Sequence, residues 1–291
     1  MAWVIENDVL RASFSELGGE LQSLVAKETG IEYLWQGNAE FWGRRSPVLF
    51  PFVGRLKDDQ YSYQGKTYHM GQHGFARDQR FVAKQESQTC LSFFLKSNAE
   101  TLKIYPFEFE LILTYELKDS RLKCGYGVRN IGESEMFFSI GGHPAFNVPI
   151  DGEGRFDDYF LQFSPRKSRL SLPLAGAYVD NENKTLGQTN TDILLTRELF
   201  KNDALIYETV GPNSYSIKSE KTSHSVTVSY DDMPFVGIWS PYPKEAPFVC
   251  IEPWCGIADT VQSTGDLVEK LGINQLDVGE QFHQVYQIEI S

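Results

Sequence analysis

The chain has 291 residues, which at about 150 residues per domain predicts one or two domains with a large buried core. Hydrophobic residues make up 41% and charged residues 23%, which excludes disordered, collagen-like and coiled-coil chains. The net charge of −12 argues against nucleic acid or an anionic membrane as the main partner and favours a neutral small molecule. Aromatic residues reach 13%, which favours pleated sheets and flat apolar binding surfaces.

The cysteines and the N-terminus indicate the compartment. Cys90, Cys124, Cys250 and Cys255 show no C-x-x-C spacing, so we expect buried free thiols and neither a disulfide framework nor a zinc knuckle. The N-terminus lacks the basic start and apolar stretch of a secretory signal. No apolar run approaches the roughly 20 residues of a membrane helix. We therefore expect a cytoplasmic protein.

Strand patterns run along the whole chain. Residues 60–70 predict a hairpin, because aromatic residues alternate on both sides of a turn at Gly65. Residues 107–117 also alternate, and residues 122–128 can return antiparallel after a turn at 119–120. Further strands are predicted at residues 215–218, 225–230, 235–239, 248–252 and 284–290.

Helical periodicity is weak. Short helices are predicted only near residues 196–200 and 266–271, which disfavours βαβ units and a parallel sheet. The polar stretch 180–192 predicts a long surface loop. Neither a linker nor a repeat is visible, so we expect an all-β chain that forms one large antiparallel β-sandwich, a single domain over residues 1–291.

Common catalytic and metal motifs are missing from the sequence. It contains no glycine-rich nucleotide loop, no H-E-x-x-H and no G-x-S-x-G, which weakens nucleotide-dependent and serine-hydrolase functions. His69 and His73 are four apart, but on a strand this spacing separates them by about 13 Å. We expect no metal and no cofactor.

His143 is a candidate proton donor. In residues 139–148 (SIGGHPAFNV), two glycines permit another group to approach the backbone, and Pro144 favours an extended conformation at His143. An imidazole has a pKa near neutrality, so it can donate a proton to an oxygen and recover it. A hydrogen-bonded turn histidine would give the same local pattern.

Glu252 is a candidate general base. It closes the apolar run of residues 248–252, where an acidic residue is costly unless it is paired or used. Burial would raise its pKa towards that of a useful base. Alternation places it on the face shared by Phe248 and Cys250, beside Trp254. A buried salt bridge is the competing interpretation.

Two further segments carry polar groups suited to binding. His73 begins residues 73–78 (HGFARD), and Arg55 lies in residues 52–56 (FVGRL). A guanidinium offers a fork of donors that can hold adjacent hydroxyls or a carboxylate. Arg55 and Arg77 could equally neutralise the acidic surface.

Taken in order, these segments resemble the aldose 1-epimerase family, the galactose mutarotase-like proteins, and within it the bacterial branch typified by the lactose-operon X protein. The matching segments span most of the chain in the family's order. They are Gly54-Arg55-Leu56, Gly65-Lys66-x-Tyr68, His73-Gly74-Phe75, residues 142–147 (GHPAFN) and residues 250–254 (CIEPW).

The resemblance implies a β-supersandwich with a sugar cleft on its concave side and cofactor-free interconversion of α- and β-aldoses. It implies that Glu252 removes the proton from the C1 hydroxyl and that His143 protonates the ring oxygen. The hemiacetal then opens to an aldehyde, which rotates and closes as the other anomer.

The resemblance also implies residues that hold the sugar. His73 and Arg55 are similar to the family's sugar-orienting residues, and Asp203 in residues 200–208 corresponds to its hydroxyl-binding aspartate. The family's usual Asn-Arg-Ile is replaced here by Gly54-Arg55-Leu56, which removes a side-chain amide.

Tryptophans are expected to form the walls of this cleft. Trp239 and Trp254 are the candidates, because pyranose rings present apolar C–H faces to aromatic rings. Anomer exchange needs proton removal at one oxygen and proton donation at another, so one carboxylate and one imidazole suffice.

Two alternatives stay open. Residues 73–77 (HGFAR) also resemble the hexose-6-phosphate 1-epimerases, and Arg44, Arg45 and Arg77 could meet a phosphate. The second alternative is a sensor that binds sugar without catalysis. The presence of both Glu252 and His143 argues against it, because a pure binder needs no acid–base pair. The sequence leaves open the sugar, the oligomeric state and the pathway.

Overall fold

The computed structural model describes residues 2–291, and strands dominate it. The regular helices in this range are α1 (Thr101–Ile104) and the 3₁₀ helices Lys57–Asp59, Ala76–Asp78, Phe156–Asp158, Asn181–Asn183 and Arg197–Phe200. The strands are β1 (Trp3–Glu6), β2 (Leu10–Phe14), β3 (Leu21–Ala26), β4 (Val48–Leu49), β5 (Gln60–Tyr63), β6 (Lys66–His69), β7 (Val82–Gln85), β8 (Cys90–Lys96), β9 (Phe109–Lys118), β10 (Arg121–Asn130), β11 (Met136–Phe138), β12 (Ile140–Gly142), β13 (Ala145–Asn147), β14 (Tyr159–Ser164), β15 (Arg169–Ser171), β16 (Leu174–Ala175), β17 (Tyr178–Val179), β18 (Thr185–Gly187), β19 (Ile193–Leu194), β20 (Leu205–Glu208), β21 (Asn213–Ser219), β22 (Val226–Tyr230), β23 (Phe235–Trp239), β24 (Phe248–Cys255), β25 (Asn274–Leu276) and β26 (Gln281–Ile290).

Two large antiparallel sheets form the frame, so the predicted all-β sandwich is confirmed. The first has nine strands in the order β19-β14-β21-β22-β26-β10-β9-β8-β7. The second has eight, in the order β18-β15-β20-β23-β24-β12-β4, with β13 also paired to β24. Smaller sheets, β1-β2-β3, β5-β6, β11-β25 and β16-β17, flank this frame.

Strand β24 is buried on both faces, and each face has a different role. All eight of its residues are buried. Val249 and Ile251 join the main hydrophobic core together with residues of the nine-stranded sheet. Because side chains alternate along a strand, Cys250, Glu252 and Trp254 lie on the opposite face. An apolar core on one side therefore fixes the strand that presents an acidic side chain on the other.

The segment that carries His143 runs antiparallel to β24. Gly141 of β12 lies opposite Trp254, and Ala145 of β13 lies opposite Cys250. The same register continues through the interruption at residues 143–144, where the N–H of Ile251 donates to the carbonyl of Pro144 over 3.2 Å. His143 is therefore directly opposite Glu252, the position at which cross-strand side chains meet.

Two glycines make room for the Trp254 ring. Gly141 on β12 and Gly237 on β23 flank β24, and a Cβ built at either position would collide with the Trp254 indole. Residues without side chains on both neighbouring strands let the large ring lie flat over the sheet. A larger residue at Gly141 or Gly237 would displace the Trp254 ring from this surface.

The hairpins predicted from local alternation are confirmed. Strands β5 and β6 pair around Gln64 and Gly65, and β9 and β10 pair around a turn at residues 119–120. The strands predicted at residues 215–218, 225–230, 235–239 and 284–290 are present as β21, β22, β23 and β26. The strand predicted at 248–252 continues to Cys255, so Glu252 lies inside it rather than at its end.

Three predictions of local structure were incomplete or wrong. Residues 180–192 are not one loop, because β18 pairs with β15 there, with Leu186 opposite Leu170 at the sheet edge. The helix predicted near residues 196–200 is a 3₁₀ helix over Arg197–Phe200, and residues 266–271 form turns and bends. The carboxylate of Asp266 accepts a bond from the Val268 N–H, and such local side-chain bonds compete with helix formation. The short helix α1 was not predicted.

None of the helices in residues 2–291 has the length and apolar character needed to span a membrane. All four cysteines are free thiols, and three of them are buried, as expected from their spacing.

Candidate active site

A cleft of about 450 Å³ lies on the face of β23 and β24 that turns away from the core between the sheets. Its lining includes all seven residues that the sequence analysis selected, Arg55, His73, His143, Asp203, Trp239, Glu252 and Trp254. It also includes residues that were not assigned to a sugar site, among them Trp42, Gln72 and Ala258.

His143 and Glu252 form a buried pair at this cleft. The imidazole Nε2 lies 3.2 Å from the Glu252 Oε2, and both side chains are less than a tenth exposed. Burial raises the pKa of Glu252 well above its usual value, and the charge of Asp203 adds to this effect, whereas the Trp254 indole opposes it. Burial lowers the pKa of His143, and the charges of Arg77 and Arg44 lower it further. Both shifts favour the neutral forms, a protonated Glu252 carboxyl and an uncharged His143 imidazole. The pair then shares one titratable proton, which resides on Glu252.

His73 provides a second, fixed imidazole. Its Nδ1 accepts a hydrogen bond from the Gly54 N–H over 3.1 Å, so a neutral ring carries its proton on Nε2. Burial lowers the pKa of His73 well below its usual value, with smaller contributions from His143, Arg77 and Arg44. The His73 and His143 rings meet edge to face at 5.5 Å between centroids. A neutral His73 can therefore donate from Nε2 to a hydroxyl near His143.

Arg55 and Asp203 lie on the more exposed part of the lining. Arg55 is held by Asp59 through two hydrogen bonds of 2.8 and 2.7 Å, which keep its guanidinium in one orientation. Gly54 has a φ of +72°, and a Cβ there would collide with Ala258, so this position cannot carry the asparagine that the related motif has. Asp203 is exposed, and its Oδ1 accepts a bond from the Ala204 N–H.

Trp42 is a lining residue that the sequence analysis missed. Its indole stacks on the His143 ring with centroids 4.8 Å apart and meets Trp239 edge to face at 5.8 Å. The Trp42 carbonyl accepts a hydrogen bond from Trp35 Nε1, which fixes the loop. Trp42 lies outside any strand and outside the matched motifs. The only available signal was an aromatic cluster, Phe41-Trp42, next to Arg44 and Arg45.

Two of the three arginines considered for a phosphate line the cleft. Arg44 is paired with Asp78 at 2.8 Å, and Arg77 donates to the Gln72 carbonyl over 2.7 Å. The Nε of Arg77 is buried without a hydrogen-bond partner. Arg45 instead binds Gln22 and is not part of the lining, so its selection as a phosphate candidate is not supported.

Comparisons with known proteins assign the chain to a family. The aldose 1-epimerase family model matches residues 1–270. The chain belongs to the aldose 1-epimerase family. It is 33% identical over 276 residues to the chromosomal protein LacX of Lactococcus lactis subsp. lactis, with 91% of each chain covered.

Solved structures agree with this aldose 1-epimerase assignment. A galactose mutarotase related enzyme from Lactobacillus acidophilus shares 44% identity, with a TM-score of 0.98 over 100% of this chain and 97% of that chain. A galactose mutarotase-like protein from Lactobacillus casei shares 36% identity, with a TM-score of 0.91 over 100% of both chains. The chain is an isomerase of the aldose epimerase type, and it belongs to the branch that includes LacX.

The site of this epimerase also contains a set of metal-ligand atoms that the sequence analysis did not identify. Donor atoms of His143, Cys250 and Glu252 lie within 4.8 Å of one another, because Cys250 and Glu252 share a face of β24. Tetrahedral zinc holds such donors about 3.3–3.8 Å apart, so the three side chains would have to contract around an ion.

We expect EDTA to leave the anomerisation rate of this epimerase unchanged, because proton transfer between Glu252, His143 and the sugar needs no Lewis acid. The rate would be followed by polarimetry before and after chelation. Cys250→Ser supplies a matched control, since it removes the thiolate ligand while retaining the acid–base pair. Loss of rate on chelation, restored by a divalent ion in the parent but not in the variant, would contradict the expectation.

We expect kcat/KM to stay level as the pH falls through about 6.5, the usual pKa of histidine. The pair needs one proton to act as acid and base. Because the pKa of His143 is lowered, a second proton binds only below the usual histidine range. Because the pKa of Glu252 is raised, the shared proton leaves only well above the usual glutamate range. A fall in kcat/KM with a midpoint near 6.5 would show that His143 titrates as an isolated acid.

Proposed function

We propose that this protein interconverts the α and β anomers of a hexose in the cleft, with Glu252 as the general base and His143 as the general acid. The observation that carries this proposal is the buried Glu252–His143 pair, 3.2 Å apart, in a cleft of about 450 Å³. Neighbouring tryptophans offer apolar surfaces to a pyranose ring.

The reaction begins with ring opening. The Glu252 carboxylate takes the proton of the C1 hydroxyl, the electron pair of that O–H bond forms the carbonyl, and the C1–O5 bond breaks. The ring oxygen O5 receives a proton from Nε2 of His143. Glu252 is then protonated and His143 is neutral, which are the forms that burial favours for both groups.

Ring closure reverses these roles. After rotation about the C1–C2 bond, O5 attacks the other face of the aldehyde. Neutral His143 takes the O5 proton, and protonated Glu252 gives its proton to the former carbonyl oxygen. The pair ends as it began, so the cycle consumes no external acid or base. The proton can return between Oε2 and Nε2, which are within hydrogen-bonding reach.

Other cleft residues hold the sugar in this proposal. His73 donates from Nε2 to a hydroxyl, Arg55 and Asp203 bind further hydroxyls, and Trp239 and Trp254 pack against C–H faces. Trp42, stacked on His143, both orients the imidazole and covers the ring. The proposal also includes a cytoplasmic location, which suits the free cysteines.

Glu252→Gln tests the base, because the amide keeps the size of the side chain but cannot take the proton. We expect the anomerisation rate to fall by about 10²–10⁴-fold, with a much smaller change in sugar affinity. His143→Asn should lose a comparable factor at the O5 step. The double variant should lose less than the product of the two, because both groups act in one proton-transfer cycle. NMR of both anomers in freshly dissolved α-aldoses measures the rates.

Fold is checked first by circular dichroism, and Cys250→Ser is the matched variant on the same buried face. Parental rates in both folded single variants would refute the acid–base assignment. Sugar binding by a parent that shows no anomer exchange would instead identify a non-catalytic sugar sensor.

A phosphorylated hexose is a second candidate substrate, and the position of Arg77 favours it. Its guanidinium lies in the cleft lining with that of Arg44, and the two share Asp78, whose carboxylate is 3.9 Å from Arg77 Nε and 2.8 Å from Arg44. A phosphate oxygen is the kind of acceptor such a donor binds. The chain as a whole has a net charge of −12 and repels anions. Any attraction for a phosphate must therefore come from the arginines at the cleft.

Comparing glucose, galactose and glucose 6-phosphate tests this second candidate. If the arginines bind phosphate, Arg77→Met should lower kcat/KM for glucose 6-phosphate by about tenfold or more, which is the usual loss when a charge-assisted hydrogen bond is removed. The rate with neutral hexoses should change far less. Equal effects of Arg77→Met on neutral and phosphorylated sugars would exclude a phosphate site there.

A further inference from the structure

A buried ion pair lies behind the cleft, outside the acid–base pair. Lys270 Nζ is 2.9 Å from Asp259 Oδ1, and the two side chains are only 2% and 3% exposed. Such a pair contributes little net stability, because removing two charges from water costs about as much as their attraction returns. The further hydrogen bonds of Asp259 and Lys270 indicate a role other than stability.

Asp259 bonds to the backbone at Arg55 and at Lys57, on both sides of Leu56. Its other carboxylate oxygen, Oδ2, accepts a hydrogen bond from the Lys57 N–H over 2.9 Å. Its own N–H donates to the Arg55 carbonyl, also over 2.9 Å. One residue thus clamps the short segment that carries Arg55.

The same pair fixes two other parts of the cleft wall. Lys270 Nζ donates to the Ile257 carbonyl over 2.6 Å, which holds the chain just before Ala258. Ala258 lies in the cleft lining, packed against Gly54 so closely that no side chain fits there. The Asp259 carbonyl accepts from the Val179 N–H, which ties in the β16-β17 hairpin.

We propose that the Asp259–Lys270 pair is a positioning device that holds the Arg55 segment and the Ala258 wall in their sugar-binding geometry before the sugar arrives. Preorganised binding groups avoid an ordering cost when the ligand binds. Lys270 orients the Asp259 carboxylate, and Asp259 holds the Lys57 N–H through Oδ2 and the Arg55 carbonyl through its own N–H. This inference rests on the proposed contact of Arg55 with the sugar.

The proposal predicts which kinetic constant responds. The positions of Glu252 and His143 are fixed by the pairing of β12 and β13 with β24. Neither residue shares a hydrogen bond with Asp259 or Lys270. Disturbing the pair should therefore weaken sugar binding while leaving the acid–base step intact. A merely structural role would lower stability without separating KM from kcat.

Two variants test it. Asp259→Asn removes the charge, and Asp259→Leu with Lys270→Met replaces both buried charges with apolar groups of similar size. The double change removes the side-chain bonds to the Lys57 N–H and the Ile257 carbonyl, and it leaves the backbone bond from the Asp259 N–H to the Arg55 carbonyl in place. For D-glucose and D-galactose we expect kcat/KM to fall by about 10–100-fold, the scale of a misplaced binding group, mainly through KM. The dissociation constant, measured by quenching of cleft tryptophan fluorescence, should rise in parallel.

Arg169→Met is the matched control. Arg169 is equally buried, and its guanidinium bonds Asn213 and Thr189, neither of which lines the cleft. This variant should lower the melting temperature while leaving KM at the parental value.

A double-mutant cycle with Arg55→Ala separates positioning from the proposed function. If the pair acts through Arg55, the Asp259→Leu/Lys270→Met change should add little to KM once Arg55 is alanine. If Arg55→Ala raises KM and the folded pair variants do not, the positioning role is wrong and the sugar contact of Arg55 stands. Unchanged sugar affinity in Arg55→Ala would overturn the inference together with that contact.

Discussion

The site depends on one constraint, the antiparallel register between residues 140–147 and β24. The pairing of Gly141 with Trp254 and of Ala145 with Cys250 places His143 opposite Glu252, and the His143 and Glu252 side chains lie 3.2 Å apart. The register is in turn enforced by Val249 and Ile251 in the core, since a shift of one residue would turn Glu252 into the core. The sandwich core therefore determines the geometry of the chemistry.

Local pattern explains how much of this fold could be predicted from the sequence. Hairpins such as β9-β10 are formed by neighbouring residues, and alternation alone revealed them. The pairing of β12 and β13 with β24 joins residues more than a hundred positions apart, and no local signal reports such contacts. Strand β18 was hidden because it has only three residues at the edge of its sheet, which is too short to show alternation.

The residues of the candidate site also divide into those with a signal in the sequence and those without one. Glu252, His143, His73 and Arg55 were chosen from the chemistry of their side chains and local motifs. Family resemblance gave His73 and Arg55 a sugar-binding role and supplied Asp203. Trp42 and the Asp259–Lys270 pair had neither signal, because their importance arises only from what they touch in three dimensions. Sequence reasoning thus finds the groups that react more readily than the groups that hold them in place.

Charged residues at the cleft influence whether His143 or Glu252 holds the shared proton. Burial is the main reason that the pKa of His143 is lowered and that of Glu252 is raised, and the charges of Arg77 and Arg44 on the first and of Asp203 on the second add to these shifts. The neutral pair that is ready for ring closure is therefore favoured. Ring opening needs the opposite form, with the proton on His143. A phosphate bound at the two arginines would offset their charge, raise the pKa of His143 and shift the shared proton towards it. An anionic substrate would thereby promote the protonation state that its own ring opening requires.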